Sequence, residues 1–515
     1  MLASNLRAPA RRQSGIGRFA SVLEGVRERQ TRNFWPIFAF ALLHLPLAWA
    51  MKQSRLVATA HALGTLAFAL GIALLGRRPE LLLCTVAYIT GAEVLWRMTN
   101  GAPVWEFGKC AFALVMLASI VRHPVQRRQW VLPIAYFAVL LPSAFSTLGE
   151  LGFAEARQPL SFNLSGPFCL AVAVAFFSSF RVSRQQLSRV FLSFIAPVAA
   201  VAAIPLYSVL TATTIEFGER SSNFTASGGF GPNQVSAVLG LGAVLALLVA
   251  LERTIPPALR YALLVVATWF LAQASLTFSR TGVYLALGSV GLALWYLLRE
   301  AQTRFKVSLV VGVLGTIFAL ILWPAMDRFT KGALSARFSD ARPTGRDEIA
   351  RSDVELWLLN PLLGVGVGAS AHERLAVLQR EAGAHTEFTR LLAEHGAFGL
   401  VAIGSLFGMA VWVLRRAQGS VAKKVVAVGV GWTFMFMLVS GMRLAAPAFM
   451  FGLACSRFAL APAEGPTLDS ARTPRLSARW RERLRKRGGV PRQPAVARAT
   501  SQTAVVRPAQ FKPGA

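Results

Sequence analysis

Apolar runs of about twenty residues, broken by short polar connections, occupy most of this chain. A helix rising about 1.5 Å per residue needs about 20 apolar residues to cross the hydrocarbon core of a bilayer. That ruler predicts spans at 34–51, 56–76, 81–97, 104–121, 130–148, 160–180, 187–210, 233–251, 259–277, 282–298, 306–324, 391–414, 425–441 and 443–461. The expected fold is all-α: a polytopic integral membrane protein with about fourteen transmembrane helices, twelve to fourteen being the range. The chain divides into a basic segment (1–33), eleven spans (34–324), a large loop with short helices (325–390), three more spans (391–461) and a basic, disordered tail (462–515).

The polar connections assign the sides. With the N-terminus in the cytoplasm, every second connection is cytoplasmic, and these are the basic ones: Arg77-Arg78, Arg122 with Arg127-Arg128, Arg181 with Arg184 and Arg189, Arg253 with Arg260, Arg299 with Arg304 and Lys306, and Arg415-Arg416 with Lys423-Lys424. Retained loops collect Lys and Arg. An even number of spans returns the C-terminus to the same side, where Arg472, Arg475, Arg479, Arg481, Arg483, Arg485, Lys486 and Arg487 lie. The segment from 325 to 390 balances nine acidic against nine basic residues and belongs to the opposite, periplasmic face of a bacterial inner membrane. Within it, Thr344 followed by Asp347 resembles a capping box opening a surface helix that ends before Pro361, with a second short helix expected over 370–381.

Composition agrees with the bilayer as the main partner. The chain is 54% hydrophobic and only 15% charged, against roughly a quarter in soluble domains. Its net charge of +30 follows from topology, since the basic residues flank spans and fill tails rather than clustering on a folded domain; no nucleic-acid partner is expected. Cys84, Cys110, Cys169 and Cys455 all lie in apolar stretches and form no disulfide or metal-spaced pattern. The basic start and the Ala48/Ala50 pair resemble a signal peptide, but the many later spans favour an uncleaved first helix. Of acidic residues inside spans, Glu93 stands out, too little for proton-coupled transport.

Candidate chemistry gathers at the outer helix ends. Arg220 precedes Gly228-Gly229-Phe230-Gly231-Pro232-Asn233, where Asn233 is placed to cap the next helix, whose amides attract anions. Ser279-Arg280-Thr281-Gly282 forms a tight outer hairpin in which Arg280 either snorkels to headgroups or grips a phosphate. His385 stands before Glu387 at the end of the long loop, just ahead of Glu394 and His395; imidazole accepts protons near neutral pH and a carboxylate orients it. His372 and His395 compete for that role. Gly364-Val365-Gly366-Val367-Gly368 lacks nucleotide-loop spacing and is expected as a flexible outer connection, and Asn163-Leu164-Ser165 is a chance sequon.

In order and placement these pieces resemble the O-antigen ligase and polymerase superfamily of bacterial membrane glycosyltransferases. The carriers are Arg220 with Gly229-Phe230-Gly231-Pro232-Asn233, Ser279-Arg280-Thr281-Gly282, Thr344-Gly345-Arg346, Asn360-Pro361-Leu362-Leu363-Gly364, and His385 ahead of Leu391-Leu392-Ala393-Glu394-His395-Gly396. They cover about 215 to 440. The resemblance implies an undecaprenyl-diphosphate-linked glycan donor used on the periplasmic face without nucleotide sugar, cofactor or metal. It also implies an acceptor that is another repeat unit, lipid A core or a protein, and leaves a chain-length regulator open as a partner. It makes Arg220 and Arg280 the diphosphate ligands and His385 the catalytic base, with Arg346 either assisting them or pairing with Asp347 or Glu348, and with Asn233, Glu387 and Glu394 in support. Thr386 departs from the Asn common after this His, and fourteen spans exceed the usual twelve. A transporter of lipid-linked glycan is the rival class, and a scaffold acting through the basic tail is a third.

Overall fold

Helix dominates because apolar runs in lipid have no water for their amides, so each segment must satisfy its own backbone. The computed structural model describes residues 35–76, 78–211, 222–252, 254–299, 304–340, 345–378 and 383–459. Arg220, Thr344, the basic N-terminal segment and the tail from 462 lie outside them. The elements are α1 (Trp35–Gln53), α2 (Arg55–Leu75), α3 (Pro79–Met98), α4 (Phe107–Ser119), α5 (Arg127–Ala138), α6 (Leu141–Ser178), β1 (Arg181–Ser183) and α7 (Arg184–Thr211). There follow α8 (Pro232–Ala250), α9 (Pro257–Leu276), α10 (Arg280–Leu297) and α11 (Arg304–Ile317), the last continuing through a π-turn into α12 (Trp323–Phe329). The loop helices are α13 (Ala333–Ser339), α14 (Arg346–Leu359) and α15 (Ser370–Leu378), before α16 (Glu387–Arg416), α17 (Ser420–Val439), α18 (Ala446–Ala454) and β2 (Arg457–Ala459).

Nine helical stretches among the described residues are long and apolar enough to cross a membrane. The protein is therefore a polytopic α-helical membrane protein. Three predicted spans take another form. The run 104–121 holds only α4, thirteen residues and about 20 Å long. The run 443–461 contains only α18, nine residues and about 14 Å long, followed by β2. The run 130–148 is interrupted between α5 and α6, where Pro142 starts a new first turn. Hydropathy registers apolar content but not such restarts.

Helices α3, α7 and α8 are buried along most of their lengths, whereas α11 buries only Val307 and presents the rest outward. Polar side chains zip the first three helices together. Trp96 Nε1 donates to His61 Nδ1 (2.9 Å), so the neutral His61 ring carries its proton on Nε2 and donates to the Tyr88 hydroxyl (2.8 Å). That hydroxyl then donates to His44 Nε2 (2.7 Å), and His44 Nδ1 donates to the Phe40 carbonyl (2.8 Å). Glu93 pairs with Arg97 at 2.9 Å and accepts from the Ala445 amide at 2.7 Å, joining α3 to the turn before α18.

Two features shape the loop end. Helix α16 breaks at Gly396 (φ 57°, ψ −129°), freeing a carbonyl and an amide from its ladder. The 360–368 segment fills the gap: Val365 N donates to Ala393 O (2.9 Å) and Ala397 N to Leu362 O (3.1 Å). Ser143 Oγ and Thr147 Oγ1 of α6 bond the Leu363 and Val367 carbonyls at 2.9 and 3.2 Å. The glycine-rich run is thus not the flexible connection its composition predicts; buried backbone must find partners, and these glycines bring it close enough to do so. At the other end, β1 and β2 pair in parallel, Val182 opposite Phe458.

Candidate functional site

His385 lies immediately before α16, and the backbone is held on both of its sides. Thr386 is the N-cap: its hydroxyl accepts from Thr389 N at 3.1 Å. Asn fills the same capping role, which accounts physically for Thr at a position where the resemblance expects Asn. On the other side Arg443 Nη2 donates to the Ala384 carbonyl at 3.1 Å. The turn that bears Arg443 is itself anchored by two buried carboxylates, Glu387 accepting from Met442 N (3.0 Å) and Glu93 from Ala445 N. Glu387 therefore supports this region through the Arg443 turn, not by a hydrogen bond to the imidazole.

A buried polar lattice fixes the loop helices against α16. Arg390 bridges Glu387 (2.5 Å) and Glu394 (2.6 Å), and Glu394 accepts from Ser370 at 2.9 Å. Ser370 accepts from Arg374, whose guanidinium also grips Asp353, and Asp353 accepts from Thr389 at 2.7 Å. Every charge in the ring has an opposite partner, as burial requires. Beside the ring is a cavity of about 240 Å³ lined by Gln158, Phe162, Asn163, Ala384, Glu394 and Arg443, among others.

The charges facing His385 differ from that balanced ring. Burial first, and then the positive fields of Arg346, Arg443 and Arg374, push its imidazole down to about 4. It is neutral at pH 7 and keeps a lone pair able to take a proton. Arg346, the first residue of α14 after the left-handed Gly345, is itself held below the usual guanidinium range by burial and then by Arg280 and Arg337. Arg337 is lowered by burial and by Arg280, with Asp340 and Tyr284 acting in opposition. Three arginines from three segments thus act on one another, and Arg346 acts in turn on His385. Gathered like charges of this kind mark a functional-site candidate, here one suited to an anion.

Backbone contacts aim the Arg280 and Arg337 ends of this group. Arg280 donates to the Asp340 carbonyl and Arg337 Nε to that of Phe278 (3.1 Å). The hairpin carrying Arg280 is stapled to α8: Ser236 Oγ donates to Ser279 O (3.0 Å) and accepts from Gly282 N (3.1 Å), and Ser279 Oγ donates to Asn233 Oδ1 (2.7 Å). Asn233 is not the expected cap. Pro232 takes the first helical position, so Gly231 becomes the N-cap and Asn233 turns to Ser279 instead. Similarly, Gly345 and not Thr344 precedes α14 as its N-cap.

Arg280 acts on Arg346 and Arg346 on His385, while Arg220 lies outside the described residues. The segment that follows Arg220 stands beside the hairpin, Asn223 N donating to Thr277 O at 3.1 Å. Of the competing histidines, His395 is buried within α16 and His372 is exposed on α15. Arg337, Arg374 and Arg443 are the residues missed from sequence. Arg443 had a usable signal, a lone Arg in a tight outer connection between two apolar runs, the same signal that marks Arg280.

Fold and site together define an α-helical membrane protein in which a histidine and several arginines interact near a small polar cavity. Compared with protein-family models and with curated proteins, the chain matches none.

Proposed function

We propose that this chain transfers a glycan from undecaprenyl diphosphate to an acceptor hydroxyl on the periplasmic face, polymerising repeat units of a surface polysaccharide. The observation that carries this reading is Arg346, which feels Arg280 and Arg337 on one side and acts on a neutral His385 on the other. The acceptor O–H attacks the anomeric carbon and its proton passes to the imidazole. The bond from that carbon to the diphosphate oxygen breaks, and its electron pair leaves with the diphosphate. Guanidinium groups stabilise the charge that develops there. One displacement inverts the anomeric centre. The bound anion also cancels the arginine fields and raises the imidazole toward the pH at which a base works best.

In this scheme both termini are cytoplasmic and the 325–390 segment lies outside, where the donor is presented. Amide, carboxylate and guanidinium groups around Phe162 give the neighbouring cavity the planar polar and aromatic character that suits a sugar acceptor. Polymerisation is preferred to ligation because nothing in the chain marks a lipid A or protein acceptor. The test is purified full-length protein in nanodiscs with a lipid-linked repeat unit. Wild type is expected to lengthen the glycan and release undecaprenyl diphosphate, and His385→Ala to do neither while remaining folded. Undiminished polymer from His385→Ala would refute base catalysis by this residue, and translocation of the donor without lengthening would favour the transporter class.

A further inference from the structure

Helix α16 runs twenty residues from Gly396 to Arg416, about 30 Å, so Arg416 lies at the end of the bundle away from His385. There it lines a cavity of about 460 Å³ with Arg128 of α5 and Arg457 of β2. Leu132, Met409 and Trp412 give the same cavity apolar lining. A second cavity of about 230 Å³ shares Trp412, Arg416 and Arg457 with the first. Among the described residues no aspartate or glutamate lines either one.

The fold holds these cations in place. The Arg416 guanidinium lies over the Trp412 ring at 5.0 Å, and Arg457 is fixed by its register opposite Arg181 in the β1–β2 pair. Three arginines lining a cavity whose other polar side chains are the neutral Gln126, Gln129 and Ser178 call for a counter-ion, and arginine is shaped to grip phosphate in two-pronged fashion. The apolar lining requires a hydrocarbon attached to it.

We infer that this cavity binds one anionic phospholipid, its phosphodiester held by Arg128, Arg416 and Arg457 and an acyl chain lying along Leu132, Met409 and Trp412. Basic pockets between transmembrane helices are suited to such headgroups. The site is separate from His385 and independent of the glycan-transfer reading.

The test titrates phosphatidylglycerol into detergent-solubilised full-length protein while following its melting temperature, with bound lipid counted by native mass spectrometry. Phosphatidylglycerol is expected to raise the midpoint and to be retained as one molecule; phosphatidylcholine and inorganic phosphate at equal concentration are expected to do neither. Arg416→Gln with Arg457→Gln is expected to abolish the shift. Arg128→Gln, on an exposed first turn that the core does not need, is expected to weaken apparent affinity about tenfold, the loss of one charged hydrogen bond. An equal shift from phosphate alone would make this a small-anion site and overturn the lipid assignment. So would an equal shift from phosphatidylcholine, or unchanged retention in Arg128→Gln and the double variant.

Discussion

Arg443 reaches across from the α17–α18 turn to hold the carbonyl of Ala384, the residue preceding His385, at 3.1 Å. The contact links two parts of the chain far apart in sequence and settles where the imidazole can be. Arg443 is itself held below the usual guanidinium range by burial, Arg390 and Arg374, with Glu387 opposing. It therefore acts on His385 both by position and by field.

Removing it should separate those effects. Arg443→Ala is expected to lower kcat about tenfold, the worth of roughly 1.4 kcal/mol of lost positioning, with Arg443→Lys recovering part of the loss. It should also move the acid limb of the pH profile upward, because a positive neighbour that depressed the imidazole is gone. Steady-state kinetics across pH, with melting curves to establish folding, check both.

For the wild-type protein the imidazole value of about 4 sets the expected pH dependence. The base is neutral and competent above that pH, so kcat/KM should hold its plateau down to mildly acid conditions and fall near pH 4. The limb in kcat should lie higher, since the bound diphosphate offsets the arginines in the complex. Stability follows the same sign. Between about 6.5 and 4 the unfolded chain binds the His385 proton and the folded chain does not, so this residue costs stability as pH falls through that window. His385→Gln should show a shallower acid loss of melting temperature there than wild type.

Glycines at the helix break are expected to tolerate no side chain. A Cβ on Gly396 would lie 2.6 Å from Leu362 backbone, and one on Gly364 would lie 2.4 Å from that of Glu394, both at positive φ. Gly396→Ala and Gly364→Ala should each abolish activity and lower the melting temperature by several degrees, measured by fluorescence-detected unfolding in detergent. Gly404→Ala, on the same helix with open space around its Cα, is the control expected to change neither.

The buried ring predicts a larger effect. Arg390→Ala leaves Glu387 and Glu394 without their shared cation, a change that costs about 3–5 kcal/mol for a buried pair. Loss of folded protein is the expected outcome in size-exclusion profiles. Restoring it by neutralising both acids in Glu387→Gln with Glu394→Gln would identify uncompensated charge as the cause.

Much of this was legible in sequence. Apolar length predicts most of the helices, and the surface helices expected before Pro361 and over 370–381 appear as α14 and α15. Arg280, Arg346 and His385 were each visible as polar residues at helix ends. What the sequence conceals is pairing at a distance. Glu387 looks like a partner for the nearby His385, yet Arg390 and the Met442 amide claim it. Asn233 looks like a cap, but Pro232 moves the helix start two positions earlier and leaves it for Ser279. The run 364–368 looks like loose linker because glycine signals freedom, whereas here it signals backbone packed on backbone. Arg443 is hidden because apolar length counts it as the first residue of the run 443–461.

The β1–β2 pair bears on how the chain is made. Ser456 bonds the carbonyl of Phe177, 279 residues earlier, and the strands beside them zip in the same place. A ribosome releases the first strand long before the second exists, so the edge of β1 must wait, unpaired, while the intervening helices are threaded into the bilayer. Closure of the bundle is thereby delayed until residues 457–459 have been made. Chains that stop short of residue 457 should be inserted but unlatched, which would offer quality-control proteases an open strand edge by which to recognise them.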